Sequence, residues 1–262
     1  MTVLRLADAG EAADLAAFLA RLIHYDRGAA VRLQAGGGVL AVFGRPPSFE
    51  VLAIRTARLA GVDEEAGGPA GAGGSGGSDG SGGAGRSGGS PAGLALDVTV
   101  SAGELLEGIQ EAAGSLAVPA AVTGPPWAGV LPPRGGWKRV PGLPSPEALT
   151  HAVSAAVAEF RARDEALPPQ ARTRSERDRI GREIWSRTLG DTELPLRVVH
   201  AAQSLGFLRG ARAGATGAPA PGPALLAAGG WLRLSTPYGS VAVRTVGSAG
   251  RAGLSGLTVT PV

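Results

Sequence analysis

A run of glycine and serine divides the chain and sets the main limit on how it can fold. Residues 66–93 read AGGPAGAGGSGGSDGSGGAGRSGGSPAG and contain no large apolar side chain. Ordering such a run costs backbone entropy that no buried surface offsets. We therefore predict a disordered Gly/Ser linker over 66–93, with folded sequence on both sides of it.

The composition of the chain excludes several classes of site. The 262 residues include no cysteine, which rules out disulfides and thiolate metal sites and is compatible with a reducing cytoplasm. No apolar run approaches the ~20 residues of a membrane-spanning helix. The first residues also lack the basic and apolar regions of a signal peptide. We predict a cytoplasmic protein that does not bind a membrane.

Charge is unevenly distributed along the chain, and the formal net charge of +3 conceals a basic C-terminal third. No acidic residue follows Glu193, whereas that stretch contains six arginines. A basic terminal third can bind phosphate backbones, but scattered arginines are also typical of an ordinary solvated surface. If this third of the chain binds nucleic acid, residues 195–208 would be a recognition helix and residues 231–244 a wing. The candidate residues for this nucleic-acid alternative are Arg197, Arg209, Arg212, Arg233 and Arg244.

The first 65 residues follow the order strand, helix and three strands. Asp8 and Glu11 form a capping box, which marks the start of a helix. An apolar stripe at helical spacing comes next, formed by Leu15, Phe18, Leu19, Leu22 and Ile23. A glycine turn then predicts a hairpin over 30–43, and a further strand is predicted over 49–59. We interpret residues 1–65 as a β-α-β-β-β unit.

A second copy of this order is predicted after the linker. Ser101 and Glu104 form another capping box, in the sequence SAGE, which repeats the DAGE of the first helix start. The apolar stripe of this helix is Leu105, Ile109, Ala112 and Leu116. Residues 231–244 align without gaps on 30–43, with five identities. We therefore assign 94–116 plus 231–262 to a second, interrupted β-α-β-β-β unit.

Residues 117–230 would then be an insertion, made of a Trp/Pro loop, a helical subdomain and a flexible connector. Three short helices are predicted, beginning at the Ser145 cap, the Thr173 cap and Pro195. The connector is expected over 209–230, where Gly, Ala and Pro dominate. The predicted fold class is α+β: an antiparallel sheet from two β-α-β-β-β units, an inserted helical subdomain and a disordered Gly/Ser-rich loop.

This paired order of elements resembles the repeat from which DNA sliding clamps are built. The resemblance is in element order and covers residues 1–60, 94–116 and 231–262. It implies a layer of helices that lines a hole and carries basic residues toward DNA. The acidic residues of the two predicted helices here are Glu11, Asp14, Glu104, Glu107 and Glu111. Because an acidic layer repels phosphates, the resemblance does not imply a clamp's function.

The loop at 122–144 is the most distinctive segment, because it combines indole rings and cations with many Pro and Gly residues. Such a combination can hold a nucleobase, an anionic ligand or a partner peptide. The candidate binding residues are Trp127, Arg134, Trp137, Lys138 and Arg139. The alternative is that both tryptophans anchor an irregular loop to the core.

The sequence predicts no catalytic residue, no metal site and no cofactor. Its histidines, at positions 24, 151 and 200, have no metal-ligand spacing, and the chain contains neither a nucleophile elbow nor a phosphate-binding loop. We favour a non-catalytic binding or scaffolding protein with an unknown protein partner. That partner would bind the Trp loop and the helical insertion. The alternatives are nucleic-acid binding through the basic C-terminal third and an enzyme of unidentified class.

Overall fold

The structure is a computed structural model that describes four ranges of the chain: residues 2–47, 49–60, 96–209 and 222–245. The predicted linker at 66–93, Arg212 and residues 246–262 of the second predicted unit lie outside these ranges. The described residues form an α+β fold, as the sequence predicts. None of the helices in these ranges is long and apolar enough to cross a membrane.

The helices of the described ranges are α1 (Ala9–Tyr25), α2 (Ala102–Glu107), α3 (Pro146–Glu165), α4 (Arg174–Trp185) and α5 (Leu196–Ser204). The strands are β1 (Val3–Arg5), β2 (Ala30–Gly36), β3 (Val39–Gly44), β4 (Leu52–Arg58), β5 (Leu96–Ser101), β6 (Ile109–Gln110), β7 (Ser115–Ala117), β8 (Lys138–Val140), β9 (Ala224–Ala228), β10 (Trp231–Thr236) and β11 (Gly239–Arg244).

One antiparallel sheet of eight strands organises the fold, in the order β5-β2-β3-β4-β11-β10-β9-β8. Both predicted hairpins are present in it, β2–β3 at one side and β10–β11 at the other. They are joined at the centre of the sheet, where β4 pairs with β11 and Ile54 lies opposite Ser240. A separate small sheet contains β1, β7 and β6.

The helices pack on one face of the large sheet. Helix α1 lies against β4 and α5 against β11, so each half of the sheet carries one helix. The rings of Phe18 and Phe207 stack at 5.7 Å between these two halves. The predicted stripe of α1 is buried at Leu15, Leu19 and Leu22. The opposite face of the sheet, which we call the outer face, carries no α-helix among the described residues.

The helix starts that the sequence predicts are confirmed by their capping bonds. Asp8 accepts a hydrogen bond from the Glu11 amide at 2.9 Å. Ser145 caps the start of α3. Thr173 caps α4 and accepts a hydrogen bond from the Glu176 amide at 3.3 Å. These caps are local to the sequence, because donor and acceptor are three residues apart.

The second helix is shorter than predicted. Helix α2 ends at Glu107, and the predicted stripe residues Ile109 and Leu116 pair with each other in the small sheet instead. Gly108 allows this reversal, since a Cβ there would lie 2.5 Å from the Ala117 carbonyl oxygen. The division into two repeated units, and with it the sliding-clamp resemblance, stays a prediction.

The edge strand β8 and its neighbour β9 form where irregular or flexible chain was predicted. Strand β8 begins in the Trp/Pro loop, and β9 lies within the expected connector. Leu225 of β9 is fully buried, and β9 pairs along its length with β10. The structure differs from the prediction because β9 pairs with β10 on one side and, on the other, with β8, which is distant from it in the chain.

Candidate functional site

The Trp/Pro loop crosses the outer face of the sheet. Trp127, Leu131 and Trp137 pack there against a small second core, made of Phe43, Leu52, Ile54, Trp231 and Ala242. Both tryptophans are half-buried. This placement favours the anchoring alternative for the two indoles, while a binding role for this loop stays a prediction.

The predicted cations of the loop are exposed and separate into two groups. Lys138 and Arg139 lie on the edge strand β8. Arg134 instead lines a groove on the outer face, together with Arg233 of β10. The Arg233 guanidinium lies 5.6 Å from the centre of the Trp137 ring. The fold thus brings together Arg134, Trp137 and Arg233, which come from two different predicted sets.

The arginines of the nucleic-acid alternative do not form one surface. Arg197 lies on α5, and Arg209 pairs with Asp14 of α1 on the helical side. Arg233 and Arg244 lie on the outer face, Arg244 over the Trp231 ring at 5.4 Å. The hairpin β10–β11 is also internal to the sheet, so these residues form no protruding wing.

A large cleft on the helical side is the strongest candidate site. Its volume is about 1020 Å³, and it lies between α4, α5, the end of α1 and the loop that joins β3 to β4. We call it the α4 cleft. It combines four cations with a group of aromatic rings: Arg174, Arg177, Arg182 and Arg197, with Tyr25, Phe49, Phe160, Trp185 and His200.

Four of these rings form a continuous chain along the cleft. Tyr25 meets Phe49 edge to face at 5.4 Å, and Phe49 meets His200 at 5.0 Å. His200 then stacks on Trp185, with ring centres 4.2 Å apart and an angle of 20°. Burial lowers the pKa of His200, which favours the neutral imidazole. The rings therefore present an apolar surface beside the arginines.

The arginines of the cleft differ in how their charge is compensated. Arg177 pairs with Asp164 at 2.7 Å, and Arg174 approaches Asp178 at 3.9 Å. Among the described residues, no carboxylate lies within ion-pair distance of Arg182 or Arg197. The Nε atom of Arg197 is buried and lacks a hydrogen-bond partner in the described structure. A half-buried guanidinium without a counter-charge is unfavourable, so the cleft favours an anion.

The backbone at the rim of the cleft is strained. Glu50 has a φ of +52°, a left-handed conformation that a residue with a side chain rarely adopts. Such strain costs on the order of 1 kcal/mol and tends to occur at binding sites. Gly181 of α4 lies in the wall, where a Cβ would meet Phe160 and Trp185 at an ordinary 3.7 Å. Packing therefore does not require glycine at this position.

Ion pairs hold the wall of the cleft in place. Arg163 of α3 pairs with Glu183 of α4 at 2.7 Å, and Glu159 pairs with Arg187 at 2.5 Å. The hydrogen bond from Arg163 is the main cause that lowers the pKa of Glu183 to about 2. The sequence predicts this ion-paired helix surface, since arginines and carboxylates alternate along α4.

Sequence reasoning missed the α4 cleft as a site. His200 falls within the predicted recognition helix, and Phe49, which its ring contacts, comes from a distant segment of the chain. One local signal was available: a glycine and a tryptophan interrupt the otherwise charged sequence of α4. No group of three or more metal-ligating side chains occurs in the ranges that the structure describes.

In the comparison with known proteins, two family models each match a part of the chain. Residues 1–129 match a family described as Domain of unknown function (DUF8010). Residues 132–248 match a second family, Domain of unknown function (DUF8185). No curated protein and no solved structure matches the chain. Each family model covers just under half of the chain, and the boundary between them falls within the Trp/Pro loop.

Proposed function

We propose that this protein is a non-catalytic binding protein whose α4 cleft binds an acidic segment of a protein partner. The observation that carries the proposal is the half-buried Arg197 of the cleft wall, which has no carboxylate partner among the described residues, beside the stacked rings of Trp185 and His200. A carboxylate from a partner would satisfy the guanidinium, and the neighbouring ring edges would take an apolar side chain.

The dimensions of the cleft favour an extended chain over a small molecule. Arg174, Asp178, Gly181 and Trp185 lie on one face of α4 and line the cleft. The 11 residue steps from Arg174 to Trp185 correspond to roughly 16 Å of helix. An extended peptide rises about 3.3 Å per residue, so roughly five residues would fit along this face. The volume of about 1020 Å³ also lies at the upper end of small-molecule pockets.

A cytoplasmic location is part of the same proposal. It is supported by the absence of cysteine, which suits a reducing compartment. An intracellular partner with an acidic segment would meet the cleft under these conditions, where arginines keep their charge at every physiological pH.

Peptide binding tests the proposed function directly. We expect a fluorescein-labelled Glu-Glu-Trp-Glu-Glu peptide to bind the full chain in fluorescence anisotropy, and a Lys-Lys-Trp-Lys-Lys peptide not to bind. Arg197→Gln and Arg182→Glu should each weaken binding by about tenfold or more, because each removes charge from the cleft. Arg5→Glu is the matched control, since Arg5 is exposed on β1 and does not line the cleft.

Two results would contradict the proposal. The first is equal affinity for the acidic and basic peptides. The second is wild-type affinity in Arg197→Gln while its melting temperature stays unchanged. Displacement of the acidic peptide by a single-stranded DNA oligonucleotide at low salt, with a steep salt dependence, would instead support the nucleic-acid alternative.

A further inference from the structure

The groove on the outer face is a second candidate site, separate from the α4 cleft. Its volume is about 330 Å³. Its floor is formed by the outward side chains of β3 and β4, including Ala41, Phe43 and Ile54. Its walls carry Arg134 from the Trp/Pro loop and Arg233 from β10. The groove is thus an apolar channel with cations at its side.

The hairpin β2–β3 provides an internal comparison for Arg233. The gapless alignment places Arg233 at the position of Arg32, and the following leucines, Leu33 and Leu234, are both fully buried. The leucines face the helices, so both arginines point to the outer face. The two guanidiniums therefore occupy corresponding positions on corresponding strands.

Arg32 has a carboxylate partner in this structure. Its Nε donates to Asp97 Oδ1 at 2.7 Å, and its Nη2 donates to Asp97 Oδ2 at 2.9 Å. This is the two-pronged geometry that a guanidinium and a carboxylate prefer. The hydrogen bond from Arg32 is the main cause of the lowered pKa of Asp97, so the carboxylate stays ionised.

Arg233 has no such partner. Its Nε donates to the Ser240 hydroxyl at 2.8 Å, and among the described residues no carboxylate lies within ion-pair distance of its guanidinium. Burial lowers the pKa of Arg233, which means that its charge is partly removed from water. A desolvated cation without a counter-charge is unfavourable unless an anion approaches it.

We propose that this groove binds a small carboxylic acid with an apolar chain. Its carboxylate would lie on Arg233 as that of Asp97 lies on Arg32, and its chain would lie along Ala41, Phe43 and Ile54. Arg134 supplies a second positive charge at the wall. The small volume and the apolar floor favour such a ligand over a nucleotide or an acidic peptide.

Calorimetry with octanoate tests this site on the full chain. We expect octanoate to bind. Octanol has the same chain length without the carboxylate, and its affinity should be lower by about tenfold or more. Arg233→Gln should weaken octanoate binding by about tenfold, because it removes the charge-assisted bonds. Arg5→Gln is the matched control, since Arg5 is exposed on β1 and outside the groove.

A second variant keeps the test valid if Arg233→Gln does not fold. Ala41→Leu would fill the floor of the groove without changing any charge, and it should abolish octanoate binding. Any of three results would overturn the proposal: no octanoate binding at millimolar concentration, equal binding of octanol, or wild-type affinity in folded Ala41→Leu and Arg233→Gln. The proposal would also be overturned if a peptide with a free C-terminal carboxylate bound and octanoate did not. The ligand of the groove would then be a peptide terminus.

Discussion

Arg55 of β4 donates a hydrogen bond to the Glu11 carboxylate of α1, at 3.0 Å, and this bond connects the sheet to the first helix. The Arg55 side chain is buried, and its Nη1 donates a hydrogen bond to the Tyr238 carbonyl at 2.8 Å. Asp14 of α1 lies 3.4 Å away. One guanidinium therefore joins α1, β4 and the turn between β10 and β11, which belong to different halves of the fold.

Replacing Arg55 should destabilise the fold strongly. Arg55→Leu removes the bond to the Tyr238 carbonyl and leaves Glu11 and Asp14 together without their buried cation. We expect a loss of about 3 kcal/mol in the free energy of unfolding, measured by urea denaturation. Arg58→Leu is the control, because Arg58 also pairs with Glu11 but is largely exposed. If both variants lose the same stability, burial of Arg55 is not the cause.

Glycine at position 181 should lower the stability of α4 and keep the cleft open. Gly181→Ala adds a Cβ at ordinary contact distance from Phe160 and Trp185, so it should stabilise α4 by about 0.5–1 kcal/mol. Acidic-peptide binding should become weaker at the same time, because the methyl group projects into the wall of the cleft. Both effects are measured on one sample, by denaturation and by anisotropy.

Gly108 supplies the contrasting case for Gly181. Gly108→Ala would place its Cβ 2.5 Å from the Ala117 carbonyl oxygen, a backbone atom that cannot move aside cheaply. We expect a loss of about 1–3 kcal/mol in the free energy of unfolding. A stabilising Gly108→Ala would show that the turn between α2 and β6 does not need the close approach.

Acidification should weaken the fold through His200. Burial lowers its pKa in the folded state below the ordinary 6.5, so the unfolded chain binds the proton first. The stabilising contribution is complete above pH 6.5 and is lost progressively as the pH falls below that value. His200→Phe keeps a ring on Trp185 and should show a smaller loss between about pH 7.5 and 5.5.

The matched control for His200 is His151→Gln, because His151 is exposed on α3 and outside the chain of rings. This variant should keep the wild-type change of urea midpoint with pH. An unchanged pH dependence in His200→Phe, with a two-state transition at both pH values, would contradict the assignment of this effect to His200.

The tryptophans of the Trp/Pro loop should behave as anchors. Trp127→Ala and Trp137→Ala each remove a half-buried indole from the small second core on the outer face. We expect each to lower the free energy of unfolding by about 2 kcal/mol. Acidic-peptide binding at the α4 cleft should be unaffected. Wild-type stability in both variants would favour the binding surface that the sequence also predicts.

The elements that could be predicted are those whose signals are local. The start of α1, the caps of α3 and α4, and the hairpins β2–β3 and β10–β11 depend on residues that are neighbours in the chain. A capping side chain and its amide are three residues apart, and a glycine turn and its flanking strands fit within fourteen residues. Their stability is decided over that distance, so the sequence is enough to locate them.

The elements that could not be predicted depend on partners far away in the chain. The apolar stripe after Ser101 is consistent with a long helix, but Ile109 and Leu116 pair with each other beside β1. The strand β9 is rich in alanine, and its distant partner is β8, which pairs with it on the side opposite β10. In both cases a tertiary contact outweighs the local preference.

The sequence by itself determined the α+β class, the helix caps, the two hairpins and which cationic and indole side chains are available to form a site. Only the tertiary structure decided which of them meet. It placed the indoles of the loop on the outer face, brought Arg233 beside Trp137, and gathered Arg197, His200 and Trp185 into one cleft. Desolvation and charge compensation depend on distances between segments, and those distances exist only once the chain has folded.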